Sequence, residues 1–402
     1  MLIFSRAEAC SLIAAACALP FGGSPRVTLG NERFVSDAWN DFRGKRLGLV
    51  TNHTGILPSG ESLIDALQRN PALQLRALFA PEHGLRGTHG AGNAVANEHD
   101  AKSGLPVYSL YGKTRRPTAA MLADIDVLLF DIQDVGARTY TYISTLAMVM
   151  QAAGALRKTV VVLDRPNPIG GHLVEGPVLD PACSSFIGLY PLALRHGMTI
   201  GEIAEFYRQS FGIACDLQVI PMQKYYRWML WPDTRLTWVP TSPHIPHFGT
   251  ALVYLSTGPL GGAGINNGIG SRTPFELAVA PHLESSELAS YLNARKLPGV
   301  IFKPSIWTPT SGFYQDQPLS GVQLIVTDPA RFGAVRAGLE ILCAIRQLSP
   351  QTLRYAASLD RDWGTSSLRT MLAAGDRPEQ ILAAWNPRLA RFLEQRANVL
   401  MY

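Results

Sequence analysis

Leu75-Arg-Ala-Leu-Phe-Ala-Pro-Glu-His-Gly84 is the stretch on which the fold turns. Its first six residues form a short, nearly continuous apolar run, and proline closes it. Such a run, bounded by turn residues, reads as a strand buried on both faces. A carboxylate and an imidazole follow at once. Three other runs repeat the pattern: Arg46 to Val50 leads into Asn52-His53, Val127 to Phe130 into Asp131-Gln133-Asp134, and Thr159 to Leu163 into Asp164-Arg165-Asn167.

Helix-length stretches, notably Glu61 to Gln68 and Tyr142 to Ala155, separate these runs. Strand and helix in alternation imply a parallel sheet with right-handed crossovers. All its strands then point one way, and ligands bind beyond their carboxyl ends. Solvated loops also end in polar residues. A Glu-His neighbour pair, an Asp-Ile-Gln-Asp segment and an Asp-Arg-Pro-Asn-Pro segment are costly near a crevice unless used or paired.

At 402 residues the chain exceeds one comfortable core, so two domains are expected. A hydrophobic fraction of 47% with 17% charged residues describes a packed globule. The net charge of +5 comes from dispersed arginines, with no basic-aromatic cluster for nucleic acid. A mildly basic protein favours an anionic small substrate. Residues 1–25 read as a leader, with Arg6, an apolar stretch from Ala9 to Leu19 and small residues at Ala16 and Ala18. Periplasmic or secreted placement is expected, with Ala14 to Cys17 as a weak lipoprotein site and a cytoplasmic amino-terminal helix as the alternative. No later run of eighteen apolar residues occurs, so no integral membrane segment is expected. The five cysteines show no Cys-x-x-Cys spacing and imply neither a zinc cluster nor a disulfide framework.

Residues 26–245 read as a Rossmann-like catalytic domain and residues 246–402 as a smaller α+β domain. Trp238 to His247, with three prolines, is the expected linker. Thr199 with Glu202 predicts a capping box on a helix from Ile200 to Phe211 and sets His196 just before a helix start. Further on, a helix is expected over Pro274 to Val279, a strand over Gly321 to Val326, and helices over Ala330 to Arg346 and Glu379 to Gln395. The glycine loop from Gly258 to Gly270 fits neither G-x-G-x-x-G nor Walker spacing, so no dinucleotide cofactor is expected.

Glu82 is the carboxylate best suited to general acid work, because Pro81 and a buried strand hold its backbone at the crevice. His83 and Asp131 would tune it, and Asp131 or Asp134 could activate water or stabilise positive charge, as paired carboxylates do in glycoside hydrolysis. Asp134 reads equally as the cap of a helix beginning near Gly136. Arg138 reads as a clamp for a ligand carboxylate. A metal site from His53, His83, His89, His99 and Asp131 is the weaker rival, since no His-x-x-x-His or His-x-His pair occurs.

The segments Gly48-Leu-Val-Thr-Asn-His-Thr-Gly55, Phe79-Ala-Pro-Glu-His-Gly-Leu-Arg-Gly87, Phe130-Asp-Ile-Gln-Asp-Val-Gly-Ala-Arg138, Thr139-Tyr-Thr-Tyr142, Leu163-Asp-Arg-Pro-Asn-Pro168 and Arg195-His-Gly-Met-Thr199 strongly resemble the NamZ-type exo-β-N-acetylmuramidases. The resemblance implies a Rossmann-like domain, a smaller second domain and a cleft between them. It implies release of non-reducing terminal N-acetylmuramic acid from peptidoglycan-derived muropeptides or a MurNAc-GlcNAc disaccharide, with no cofactor and no metal. The glutamate of its Pro-Glu-His-Gly motif, the family's proposed acid, falls on Glu82. Asn52, Gln133, Arg138, Tyr140, Arg165, Asn167 and His196 are the expected substrate contacts, with Arg165 favoured to hold the lactyl carboxylate. The second domain departs from the pattern at Ser242-Pro-His-Ile-Pro246, Gly261-Gly-Ala-Gly264 and Gly268-Ile-Gly-Ser271. A catalytically silent or altered-specificity sugar-binding protein is therefore the alternative.

Overall fold

The computed structural model describes residues 26–90 and 92–402; the expected leader lies outside the described residues. Seven strands form the main sheet: β1 (Arg46–Thr51), β2 (Gln74–Ala80), β3 (Glu98–His99), β4 (Pro106–Ser109), β5 (Val127–Asp131), β6 (Thr159–Leu163) and, after a small hairpin of β7 (Glu175–Val178) and β8 (Ala193–Arg195), β9 (Asp216–Ile220). Their order is β3-β4-β2-β1-β5-β6-β9, parallel throughout except for the edge strand β3.

The alternation of side chains explains why these runs are apolar at every position. Leu47, Leu49, Leu129 and Val161 face one layer, with Phe34 of α1 (Gly30–Ser36) and Leu63 and Leu67 of α2 (Leu63–Arg69). Val50, Leu128, Phe130 and Val162 face the other, with α3 (Tyr142–Ala155) and α4 (Ile200–Phe211). A strand covered on both faces leaves no position for a polar side chain until it ends. The capping box on α4 is formed: Thr199 Oγ1 accepts from Glu202 N at 3.2 Å, and Thr199 N donates to Glu202 Oε2 at 2.9 Å.

The second unit begins with α5 (Phe248–Thr257). It adds an antiparallel sheet in the order β10-β12-β11 from β10 (Leu277–Ala280), β11 (Val300–Trp307) and β12 (Leu319–Val326), with α6 (Ser285–Ala294), α7 (Ala334–Leu348), α8 (Ala357–Trp363), α9 (Ser367–Ala374) and α10 (Pro378–Ala397). Where a helix was expected over 274–279, the chain forms β10. Phe275 takes a positive φ of 62°, which stops a helix, and the four buried residues after it pair with β12. β11 carried no sequence signal because it is an edge strand that tolerates Lys303 and Pro304.

The carboxyl terminus returns to the first unit. Tyr402 Oη donates to Asp164 Oδ2 at 2.7 Å and accepts from Met222 N at 2.8 Å, while Met401 N donates to Glu202 Oε1 at 2.8 Å. Burial pushes the Asp164 carboxyl up to about 7, against the opposing pull of Gly201 N, Tyr402 and Thr199. Tyr402→Phe should therefore cost about 1–3 kcal/mol of stability in denaturant unfolding, because it strips a hydrogen bond from a buried carboxyl and another from Met222 N.

Candidate active site

Pro81 ends β2, and the chain then turns sharply through two left-handed residues, His83 (φ 71°) and Gly84 (φ 76°). A Cβ on Gly84 would lie 2.7 Å from His89 Cδ2, so the turn has room only for glycine. His83 bears the strain of a non-glycine residue in this region, and its Nδ1 is fixed 2.7 Å from His89 O. In the tautomer that donates through Nδ1 to that carbonyl, Nε2 is the lone-pair acceptor.

The turn presents Glu82, 7% exposed, in one orientation. Thr141 Oγ1 donates to Oε2 at 2.6 Å and Gly92 N donates to Oε1 at 2.9 Å. Thr141 stands at the N-cap of α3 yet makes no side-chain cap, so its hydroxyl is free for Glu82. Tyrosines crowd the same place. Burial, reinforced by the Glu82 charge, pushes the hydroxyls of Tyr111 and Tyr254 up, and burial with Tyr140 and Glu82 does the same for Tyr142. They remain protonated hydrogen-bond groups at neutral pH.

The expected linker forms one wall. Asn52 Nδ2 donates to Tyr142 Oη at 3.0 Å, Tyr142 Oη donates to Thr241 O at 2.8 Å, and Tyr140 Oη donates to Thr241 Oγ1 at 2.9 Å. His53 Nε2 lies 2.5 Å from Pro240 O. Burial lowers His53, with His83 adding to the effect, and lowers His244 in the same way. Both rings are neutral at pH 7. Among the described residues no three His, Cys, Asp or Glu side chains are arranged to hold a metal ion.

Other residues expected at the site are committed elsewhere. Asp131 is fully buried and forked to Arg165, at 2.5 Å to Nε and 3.0 Å to Nη2, and also accepts from Asn31 Nδ2 at 3.1 Å. Neither partner of that pair is free to grip a sugar or activate water. Asp134 accepts from Gly136 N at 2.7 Å in a local turn, but no helix begins near Gly136, since α3 starts at Tyr142 with Thr141 as its N-cap, so the expected cap is not formed; burial pushes the Asp134 carboxyl up to about 7. His196 lies 4.0 Å from it, completely buried and lowered by burial to about 3, so it cannot meet a ligand as a cation. Arg138 is also fully buried, lowered to about 10 by desolvation, and donates to Asp362 O in the second unit at 3.2 Å. A Cβ on Gly364 would fall 1.8 Å from Arg138 Nη1, so this guanidinium is an inter-unit wedge rather than a clamp. Asn167 bonds Met198 O and Ile169 N, holding its own loop. Gln133 Nε2 ties the carbonyls of Asp134 and Pro166.

Sequence reasoning missed Thr141, Tyr111, Thr241 and His244. Thr141 and Tyr142 lie inside a quoted motif, but nothing in their spacing says which faces Glu82. In the departing loop of the second unit, Gly264, Gly268 and Gly270 take φ of 85°, 80° and 93°, and Ile269 is exposed.

A family model described as Exo-beta-N-acetylmuramidase NamZ, N-terminal, matches residues 47–249, and the corresponding C-terminal model matches residues 252–402. The chain is 44% identical over 380 residues to the Peptidoglycan beta-N-acetylmuramidase NamZ of Bacillus subtilis (strain 168), covering 94% of this chain and 92% of that protein. Two crystal structures of DUF1343 family proteins from Bacteroides fragilis share its fold over 94% of this chain and 99% of theirs. One has a TM-score of 0.87 at 36% identity, and the other a TM-score of 0.75 at 27%.

Arg165→Met leaves Asp131 as an uncompensated buried charge. It should lower stability by about 3–5 kcal/mol in urea unfolding; an unchanged midpoint would return Arg165 to the list of free ligand contacts. Asp134 gives a pH test. Its folded value lies above its unfolded one, so the stability it contributes is complete below about pH 4 and is lost as pH rises toward 7. Asp134→Asn keeps an acceptor for Gly136 N and cannot ionise. The melting temperature of the variant minus that of wild type should therefore be larger at pH 8 than at pH 4.5, and a difference independent of pH would contradict the raised carboxyl.

Proposed function

The chain belongs to the NamZ exo-β-N-acetylmuramidase family, and from that premise we propose that it is an exo-acting glycoside hydrolase releasing non-reducing terminal N-acetylmuramic acid from peptidoglycan fragments. The observation that carries the reading is the Glu82 carboxyl, buried and aligned by Thr141 Oγ1 and Gly92 N at the end of β2. Glu82 in its acid form gives its proton to the glycosidic oxygen as the bond from that oxygen to the anomeric carbon breaks, and the shortened fragment leaves as an alcohol. Water adds to the anomeric carbon and yields a proton to His83 Nε2. Return of that proton through solvent to Glu82 restores the starting state. Asp131 is tied to Arg165, so the assisting group of this scheme is an imidazole rather than the second carboxylate of the two-carboxylate arrangement.

The substrates are peptidoglycan-derived muropeptides or a MurNAc-GlcNAc disaccharide. Placement in the periplasm or outside the cell, and a part in cell-wall turnover, agree with such a substrate and with the apolar stretch from Ala9 to Leu19. Recovery of the protein solely from the cytoplasmic fraction would contradict that placement.

Glu82→Gln should lower kcat on MurNAc-GlcNAc by about 10²–10⁴-fold while the melting temperature holds. Thr141→Val removes one of the two hydrogen bonds that align Glu82 and should cost about 10-fold. Binding of the disaccharide by wild type without any release of N-acetylmuramic acid would instead make this chain a silent sugar-binding protein.

A further inference from the structure

One requirement of the proposed substrate is not met by the residues expected to meet it. N-acetylmuramic acid differs from N-acetylglucosamine by a lactyl group that ends in a carboxylate, and a forked guanidinium suits that group best. Arg165 is neutralised by Asp131, Arg138 is spent on Asp362 O, and His196 is fully buried and uncharged. None of the three is free for it.

Another cation stands beside Glu82. β4 is the parallel neighbour of β2, with Ser109 opposite Ala80 and Leu110 N donating to Ala80 O at 2.8 Å. Glu82 and Tyr111 each follow that last pair at the same offset, on strands about 5 Å apart. Their side chains meet. Burial raises the Tyr111 hydroxyl, the charge and contact of Glu82 raise it further, and Arg115 opposes them. Arg115 folds back over the Tyr111 ring. Its guanidinium carbon lies 5.1 Å from that ring centroid and 4.3 Å from the centroid of Phe186, and the two rings are 5.6 Å apart. Phe186 is buried, so the platform under the guanidinium is fixed. Arg115 itself is exposed and pairs with no carboxylate among the described residues, whereas the adjacent Arg116 donates to Gln151 O at 3.1 Å. A guanidinium laid against two rings is held in place and keeps its N–H fork for a ligand.

We propose that Arg115 selects N-acetylmuramic acid by gripping the lactyl carboxylate of the terminal sugar while Glu82 protonates the departing oxygen. The inference rests on the crevice and the sugar named under the proposed function. The lactyl ether and the glycosidic oxygen sit on either side of a single ring carbon, so the groups that meet them must stand close together, as Glu82 and Arg115 do across Tyr111.

Arg115→Met keeps an apolar chain against the rings and removes the charge. Isothermal titration of the full chain should show the affinity for N-acetylmuramic acid falling about 10-fold or more, while that for N-acetylglucosamine, which has no carboxylate, does not move. Arg115→Lys, which keeps the charge without the fork, should fall between. The methyl ester of the lactyl group makes the same test without a substitution: wild type should bind the ester as weakly as Arg115→Met binds the acid, and Arg115→Met should bind acid and ester alike. Equal affinity of wild type and Arg115→Met for N-acetylmuramic acid, an equal loss on both sugars, or no binding of N-acetylmuramic acid to wild type would overturn the assignment. Turnover of MurNAc-GlcNAc separates this failure from that of the proposed function. Hydrolysis by wild type with no selectivity lost in Arg115→Met removes the role of Arg115 alone, whereas Arg115-dependent binding without hydrolysis keeps that role and removes the hydrolase.

Discussion

The Asp131–Arg165 ion pair is the constraint around which the crevice is built. It joins the end of β5 to the loop after β6, and its outer contacts reach α1 through Asn31 and the loop after β1 through Ile56 O. Both partners are almost out of solvent, at 0% and 4% exposure. Such a pair adds little net stability over an apolar replacement, because desolvation offsets most of the attraction, but losing either partner is severe. What it supplies is position. The end of β5, the start of α1 and the loops after β1 and β6 are fixed at one point on the floor.

On that floor the side chains divide by function. The buried members, Asp134, Asn167, Gln133 and His196, bond mainly to backbone and hold the loops in shape. Glu82 and its companions Thr141, Tyr142 and His83 rise at the neighbouring strand end, under the wall made by 240–244. The second unit is held to the first by buried polar contacts as well as by packing: Arg138 to Asp362 O, Arg195 to Phe332 O, and Tyr402 to Asp164. Buried groups bonded across a boundary allow few relative positions of the two units.

The parallel sheet was legible because β1, β2, β5 and β6 are buried on both faces and so apolar at consecutive positions. The place of Glu82 at the crevice was legible for the same reason, as the first ionisable residue after a buried strand. Which polar residues at the strand ends face each other was not. Asp131 and Arg165 lie 34 positions apart, and only the adjacency of β5 and β6 shows that the charge expected to await a ligand already has its counter-ion. Arg138 was misread because its distance from the Asp131 cluster in sequence hides its direction, away from the crevice and into the second unit. The short β10 carried an apolar run too brief to separate strand from helix, and the positive φ of Phe275 decided it.

The central claim is that Glu82 serves as the acid that protonates the departing oxygen. Its most direct test varies the leaving group. A 2,4-dinitrophenyl glycoside of N-acetylmuramic acid departs without protonation, whereas the natural disaccharide does not. Hydrolysis by Glu82→Gln should stay within about 10-fold of wild type on the activated glycoside and fall by about 10²–10⁴-fold on MurNAc-GlcNAc. An equal loss on both substrates would contradict the acid role and assign Glu82 to sugar binding or to the structure of the turn.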